Sequence, residues 1–438
     1  MFTCSVLLLS TANGYAQYYS FELSTIHDQN IFDTYIPFPD QITQFQADIS
    51  NDWDFDESSL TLSYNGSLSL FSDLTARNYH VHVVTLSSVF HFTHDEEEND
   101  GEESNEEEEM MESEGDTSDT VAIPVQSEPV IEHSDSADQF LYGTLQGAAQ
   151  FDKDDFSQYD NSRMTGVVTF RQPISLNASI RPSYTISYHS YPNLSGITNV
   201  ENIFSALIGT DFIPKSWASL SMGYGIKSYT TSTTYTYTVG SGGQAGHGKP
   251  GAGGSGKKTK SYVLDSPPVK QFSATVTWEQ QISAQTSALG LYSHYGTPST
   301  AARILPQQVQ NAIEQQGTIG DFTSHNDIFD DHYGFSGDEF LLQVQQTMPF
   351  EFVALVKSNF VQKKYTIPAY DLSDTVIVAG NREDTRFELE INISRMFEFG
   401  EGKSIKPRIE FHYLRNRSNA PYYDIDKNTF LLGCEFNF

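Results

Sequence analysis

The chain has 438 residues and a formal net charge of −32, and aromatic residues make up 13% of it. Its longest unbroken apolar run is Phe352–Val356, whereas a membrane-spanning helix needs about 18 consecutive apolar residues. We therefore expect no membrane-spanning helix. The balance of 57 acids against 25 bases also argues against nucleic-acid binding, because affinity for phosphates depends on clustered Lys and Arg.

The N-terminal segment has the pattern of an export signal. Val6–Leu9 form a short apolar core, and Gly14 and Ala16 occupy the small-residue positions before the predicted cleavage site. No Lys or Arg precedes the core, which leaves open a start site further upstream. We predict a signal peptide over residues 1–16.

Most of the remaining chain alternates between apolar and polar residues with a period of two. This pattern is typical of strands whose two faces meet different surroundings. One face of residues 59–70 carries Leu60, Leu62, Tyr64, Leu68 and Leu70. The other face is small and polar throughout, and the same division recurs in 177–189 and 386–394.

Sixteen strands are predicted from this alternation. They cover 18–26, 42–54, 58–71, 79–93, 139–152, 162–171, 176–190, 202–213, 217–237, 268–282, 285–296, 339–349, 352–367, 384–397, 404–416 and 427–438. Tight turns alternate with long connections at 238–267, 297–337, 368–383 and 417–426. We expect an up-and-down meander in which an even strand count brings both chain ends to the side of the tight turns.

Two low-complexity segments interrupt the predicted strands. Residues 95–138 contain 19 acids and no Lys or Arg, which predicts a disordered, self-repelling insertion. Strand parity puts this insertion on the side of the tight turns, and one wrongly divided N-terminal strand would move it to the other side. The second segment is rich in glycine and lies within 238–267, where we predict a flexible loop.

The last residues of the chain carry a recognisable pattern. Phe430, Leu432, Cys434, Phe436 and Phe438 share one face of the predicted terminal strand. The segment resembles the terminal strand of Gram-negative outer-membrane β-barrel proteins, in which a glycine is followed by aromatic or apolar residues at the third and fifth positions. Gly433, Phe436 and Phe438 match this assembly signal, whereas Leu431 stands where a polar residue is usual. The resemblance implies recognition by the barrel assembly machinery and a place in the cell outer membrane, among lipid and lipopolysaccharide.

Physical chemistry favours a barrel independently of that resemblance. In hydrocarbon every backbone N–H and C=O must be paired, and an extended chain achieves this only when its sheet closes and leaves no edge. The alternative is a secreted β-sandwich, whose strands average about five or six residues, whereas several strands here alternate over roughly nine or more. We predict an all-β fold, a transmembrane up-and-down antiparallel β-barrel of about 14–16 strands.

The motifs for chemistry are weak. Gly251–Lys258 approaches a phosphate-binding loop, but a lysine occupies the Ser/Thr position and no strand-then-helix context surrounds it. His80 and His82 share one strand face, and His91 and His94 follow in the same strand or its exit. No Cys accompanies these histidines, and a tetrahedral metal site is unsupported. There is no nucleophile elbow, and Cys434 would be the one cysteine left after export, so we expect no disulfide, metal site, cofactor or enzymatic activity.

The predicted lumen carries charges of both signs. On the last strands we expect the lumen-lining residues to be Arg386, Glu388, Glu390, Lys406, Arg408 and Glu410, arranged as cross-strand pairs. A barrel of 16 strands is wide enough for an aqueous channel, so the first functional hypothesis is a porin-like channel for small solutes. The alternative is a non-conducting surface barrel whose long loops at 238–267 and 297–337 bind partners.

Overall fold

A computed structural model gives the fold of the chain. It describes residues 17–31, 37–92, 139–153, 157, 160–175, 177–193, 198–213, 215–230, 233–239, 258–264, 268–298, 334–370, 377–400 and 402–438. The predicted signal peptide and acidic insertion, and most of the glycine-rich segment, lie outside these residues. No helix in the described ranges is long and apolar enough to cross a membrane.

The described chain is built from nineteen strands. They are β1 (Gln17–Asp28), β2 (Asp40–Phe55), β3 (Ser58–Phe71), β4 (Tyr79–Phe92), β5 (Gln139–Asp152), β6 (Asn161–Ser175), β7 (Ala178–Ser190), β8 (Asn199–Ile213), β9 (Ser216–Tyr229), β10 (Thr233–Val239), β11 (Lys258–Leu264), β12 (Val269–Ser283), β13 (Thr286–Gly296), β14 (Phe335–Thr347), β15 (Val353–Tyr370), β16 (Ile377–Ser394), β17 (Phe397–Glu398), β18 (Ser404–Ser418) and β19 (Ile425–Asn437).

Sixteen of these strands form a closed antiparallel ring. β1 to β9 pair in chain order, β9 then pairs with β12, and the order continues through β16, β18 and β19. The last strand pairs with the first over Ser20–Asp28 and Thr429–Asn437, which closes the ring and leaves no unpaired edge. The predicted fold and the predicted count of sixteen ring strands are therefore confirmed.

The two ends of the ring differ in their connections. The end that carries Gln17 and Asn437 is called the short-turn end, because most of its strands are joined there by two to nine residues, as at 56–57, 214–215 and 284–285. The opposite end is called the long-loop end and carries the connections at 230–268 and 297–334. Segment 93–138, which contains the acidic run, joins β4 to β5 and so leaves the ring at the short-turn end.

The two faces of the ring differ in chemistry. Ser24, Thr165 and Ser293 on the inward face are only 2–3% exposed, although they are polar. Val168 and Leu342 on the outward face are 51% and 54% exposed, although they are apolar. Side chains converge inside a cylinder and diverge outside it, so the pleat alone produces this contrast.

Exposed aromatic side chains occur near both ends of the outward face. Near the long-loop end these are Phe151, Tyr188, Tyr224 and Phe272, and near the short-turn end Phe55, Phe90, Phe92, Phe350 and Phe399. Leu, Ile and Val side chains such as Leu145 and Ile186 lie between them. An apolar band between two aromatic girdles is the exterior expected of a barrel that crosses a bilayer.

Two local features differ from the prediction, and a third shows how the ladder accommodates a proline. The predicted strand 217–237 is two strands, because β9 belongs to the ring whereas β10 pairs only with β11 in a separate hairpin. The predicted connection 368–383 is reduced to 371–376, since β15 and β16 each run for 18 residues. Pro182 lies within β7 and pairs with Ala206 of β8, but its side facing β6 has no ladder partner, as expected of a residue without an N–H.

Candidate functional site

The inward face of the ring is the candidate site, and its charges are arranged differently around the circumference. The six residues predicted to line the lumen lie on the same face of β16 and β18 as the buried Asn392 and Ser394. They are Arg386, Glu388, Glu390, Lys406, Arg408 and Glu410. Outward-facing neighbours of these residues, such as Ile409, belong to the apolar exterior.

Most of these charges meet a partner of opposite sign. Arg386 forms an ion pair with Glu388 on its own strand. The guanidinium of Arg408 reaches Glu22 at 2.7 Å (Nη2 to Oε1) and Glu410 at 3.3 Å (Nη1 to Oε1). Lys357 and Glu390 form a further ion pair, at 3.8 Å. Because these ion pairs occur on β15, β16, β18 and β1, we call this part of the inward face the paired wall.

The link from Arg408 to Glu22 spans three strands. Arg408 is on β18, Glu22 is on β1, and Gly433 of β19 lies between them, in register with Arg408. A Cβ atom at Gly433 would stand 3.1 Å from the Glu22 Oε1 and 3.3 Å from the Arg408 Nε. The glycine therefore leaves the room in which the ion pair crosses the seam between the last and first strands.

A second stretch of wall, which we call the basic strip, carries arginines on two strands that contain no Asp or Glu in their described residues. It consists of Arg163 and Arg171 on β6 and Arg181 on β7, all on the inward face. The register places Arg171 opposite Arg181, and the described residues of both strands contain no Asp or Glu. Arg171 lies with its guanidinium carbon 5.5 Å from the ring centroid of Phe140. Like charges directly opposite each other are unfavourable, so this wall concentrates positive potential.

The third stretch of wall is acidic. Asp48, Asp52 and Asp54 face inward from β2, a strand that contains no Lys or Arg, and we call them the acidic strip. The Asp48 carboxylate accepts hydrogen bonds from Asn65 and, at 3.3 Å, from the side-chain amide of Gln46. A cavity of about 240 Å³ opens against this wall and is lined by carboxylates of Glu22, Asp48 and Glu435 among other residues.

Buried ion pairs hold the wall at the long-loop end, and the sequence did not reveal them. Arg77 pairs with Asp152 at 2.6 Å, Lys427 with Asp28 at 2.9 Å, and Lys227 with Glu201 at 3.3 Å. A fourth pair joins Arg382 to Asp384, with the Arg382 guanidinium between the rings of Tyr365 and Tyr423. Most of these charged residues lie on the inward face near the long-loop end of a strand, but the partner of each depends on a register that is known only from the fold.

The described histidines considered as metal ligands divide between the two faces of β4. His80 and His82 face outward from β4, whereas His91 of the same strand faces inward, and His94 lies outside the described residues. Across the part of the chain that the structure describes, no group of three or more His, Cys, Asp or Glu side chains could hold a metal ion. Cys434 faces outward from β19.

A closed ring of sixteen strands with an apolar, aromatic-girdled exterior and a charged interior defines a transmembrane β-barrel of the outer-membrane, porin-like type. No protein-family model matches the chain, and no curated protein matches it. The solved structures to which it is similar include several outer-membrane proteins of Pseudomonas aeruginosa.

Three of these structures illustrate the likeness. The outer membrane protein OpdK shares 9% identity at a TM-score of 0.43, over 97% of this chain and 98% of its own. OpdO shares 9% at 0.43, over 96% of this chain and 97% of its own. The outer membrane protein OprD shares 9% at 0.41, over 96% of this chain and 94% of its own. Because these values are low, the assignment to the barrel class rests on the strand pairing and the exterior band of this chain.

Proposed function

We propose that this barrel is a passive, porin-like channel for small solutes in the outer membrane of a Gram-negative cell. The observation that supports the proposal is the polar, charged inner face of a closed sixteen-strand ring. Rings of 16 to 18 strands leave an aqueous channel, whereas rings of about 8 are filled by their own side chains. Each charge on the inner face must be hydrated or paired, and a water-filled lumen hydrates those, such as Arg163, whose described contact is a neutral group.

The proposal includes an orientation. Outer-membrane barrels have short periplasmic turns and longer external loops, so the short-turn end with both described chain ends would face the periplasm. The signal peptide over residues 1–16 would direct export. The assembly machinery would recognise Gly433, Phe436 and Phe438, and lipid and lipopolysaccharide would surround the exterior.

The distribution of charge suggests how the channel discriminates between ions. The paired wall is close to neutral at a distance, because each ion pair is a local dipole. The basic strip and the acidic strip act on passing ions over roughly one Debye length, about 10 Å at 0.1 M salt. β3, β4 and β5 separate the two strips around the ring, so a solute meets positive and negative wall on different sides of its path.

Two measurements on refolded full-length protein test the proposal. Migration on a gel with and without heating establishes whether the barrel is folded, and a planar bilayer then records conductance. Discrete current steps from folded protein are expected. Folded protein that never conducts, at any protein-to-lipid ratio, would exclude the channel function.

One feature favours a second candidate, a surface barrel that binds partners. The connection between β9 and β12 contains the β10–β11 hairpin, which pairs outside the ring sheet. A channel does not need such a hairpin. If the connection binds a partner, its replacement by a short Gly-Ser linker should abolish binding to intact cells or matrix while the gel migration of the folded barrel is kept.

A further inference from the structure

Three polar side chains form a hydrogen-bonded chain on the outward face of the barrel. The hydroxyl of Tyr64 on β3 lies 2.8 Å from Nδ1 of His82 on β4. The Nε2 atom of His82 lies 2.9 Å from Nδ1 of His80. Polar groups are costly on a lipid-facing surface, so a connected set of three requires a physical reason.

The local backbone is built to make this chain possible. His82 stands opposite Gly66 in the ladder between β3 and β4, not opposite Tyr64. The Tyr64 ring reaches it by lying over Gly66, where a Cβ atom would come within 2.8 Å of the ring carbon Cζ. The ring then stacks on His82 with 6.1 Å between centroids. Glycine at this position is therefore what allows the tyrosine to contact the histidine.

The direction of the hydrogen bonds follows from the chemistry of the groups. A phenol is the better donor and a neutral imidazole nitrogen the better acceptor, so Tyr64 donates to Nδ1 of His82. His82 then carries its proton on Nε2 and donates it to Nδ1 of His80. His80 in turn carries its proton on Nε2, and this N–H is the donor left at the end of the chain.

Among the described residues, the ladder neighbours of His80 offer this N–H no side-chain acceptor on the outward face. The ladder neighbours of His80 are Leu68 and Phe151, both apolar, and its ring lies 5.3 Å from the Phe151 ring centroid. His80 is the second residue of β4 at the long-loop end, beside a member of the aromatic girdle. Lys153, one outward position beyond Phe151, places an ammonium group at the same rim, where its Nζ donates to the Thr75 carbonyl at 2.7 Å.

We propose that His80 donates its Nε2–H to a phosphate oxygen of a membrane lipid headgroup, at the boundary of the leaflet that surrounds the long-loop end. The position in the girdle puts the donor at headgroup depth, and the nearby ammonium of Lys153 favours an anionic acceptor. The Tyr64–His82 pair fixes the tautomer of His80 so that a donor, and not an acceptor, points to the lipid. This inference requires a folded barrel in a bilayer and does not depend on conduction.

Native mass spectrometry of the full-length barrel in detergent tests the proposal, with phosphorylated lipid A as the probe. Wild-type protein should retain phosphorylated lipid A roughly tenfold better than the same lipid without its phosphates, as expected for one hydrogen bond to a charged acceptor. His80→Phe should lose this preference, and His80→Gln, which keeps an N–H donor at the same reach, should recover most of it. Tyr64→Phe should give an intermediate loss.

The matched control is His27→Phe, because His27 is also an exposed, outward-facing histidine next to the last residue of its strand at the long-loop end. This variant should keep the wild-type preference.

Equal retention of both lipids by wild-type protein, or an unchanged preference in His80→Phe, would overturn the proposal. Displacement of the lipid by millimolar inorganic phosphate would show a site for free anions and would equally overturn it. Heat-dependent gel migration confirms that each variant is folded. If His80→Phe does not fold, an unchanged preference in Tyr64→Phe would overturn the proposal instead.

Discussion

The paired wall and the basic strip both carry arginines on the inward face of the same sheet, yet the two regions differ in electrostatics. In the paired wall Arg386 and Arg408 each contact a carboxylate. In the basic strip the described side-chain contacts of Arg163 and Arg171 are with neutral groups, a threonine hydroxyl and a phenylalanine ring. The number of charged residues in a wall therefore does not determine its electrostatic potential. A residue of opposite charge, on the next strand or two positions along the same strand, can cancel the field of each charge.

The difference also separates two physical roles. A cation within hydrogen-bonding distance of a carboxylate contributes to the cohesion of the wall and produces little field at a distance. A cation without such a partner produces a field across the lumen that salt screens over about 10 Å at 0.1 M. We expect changes in the basic strip to alter ion selectivity and changes in the paired wall to alter stability. Four experiments follow from this comparison.

The largest effect is expected from charge reversal in the basic strip. Arg163→Glu combined with Arg171→Glu should lower the ratio of chloride to potassium permeability on the order of tenfold, because the field at that wall changes sign. Reversal potentials under a KCl gradient measure this ratio. Lys364→Glu is the control, since Lys364 is exposed on the outward face and should leave the ratio unchanged. An unaltered ratio in a conducting double variant would contradict the assignment of selectivity to this wall.

Removal of one partner from the paired wall should mainly reduce stability. Arg408→Met leaves two carboxylates, Glu22 and Glu410, without their guanidinium. We expect the free energy of unfolding to fall by about 3–5 kcal/mol, the usual consequence of an uncompensated buried charge. Urea titration of protein refolded in vesicles provides the measurement. A triple variant that adds Glu22→Gln and Glu410→Gln should recover most of the loss, and a triple variant no more stable than the single one would refute this explanation.

A smaller loss of stability is expected from a substitution at Gly433, which the ion pair between Arg408 and Glu22 crosses. Gly433→Ala places a methyl group against Glu22 and Arg408 and should cost about 1–3 kcal/mol, as overpacking does. Gly147→Ala is the matched control, because nothing lies within 4 Å of a Cβ atom there. Urea titration of the purified, refolded proteins separates this effect from any role of Gly433 in assembly within the cell. Equal stabilities of the two variants would show that the seam tolerates the methyl group.

The smallest effect is expected when both members of one pair are neutralised. Arg386→Gln with Glu388→Gln removes opposite charges that already contact each other. The permeability ratio should change by less than about twofold, since little field reaches the lumen from such a pair. Reversal potentials again give the ratio. A change as large as that expected in the basic strip would remove the distinction between the two walls.

The strands were predictable from sequence because the period-two pattern is a local property. Each ring strand has an apolar face that must contact an apolar exterior, and residues 59–70 carry that requirement in their own order. The same pattern does not say which sheet a strand joins, which is why the alternation through 217–237 concealed the break between β9 and the β10–β11 hairpin.

The charge partners were not predictable in the same way. Lys427 and Asp28 form a buried pair although almost the whole chain separates them, and only the closing register of β19 with β1 brings them together. The shared face of His80 and His82 was evident from their spacing. Their hydrogen bonds with Tyr64 depend on the space above Gly66 on the neighbouring strand, which a single-strand pattern does not contain.

The ion pair over Gly433 also bears on the order in which the barrel folds. Arg408 and Glu22 are 386 positions apart in sequence. Their contact therefore closes one of the longest loops that the chain can form. Contacts of this range form late, after the hairpins between sequential strands. A probe of this single contact, such as a crosslink between cysteines placed near it, would therefore time the final step of barrel formation separately from the growth of the sheet.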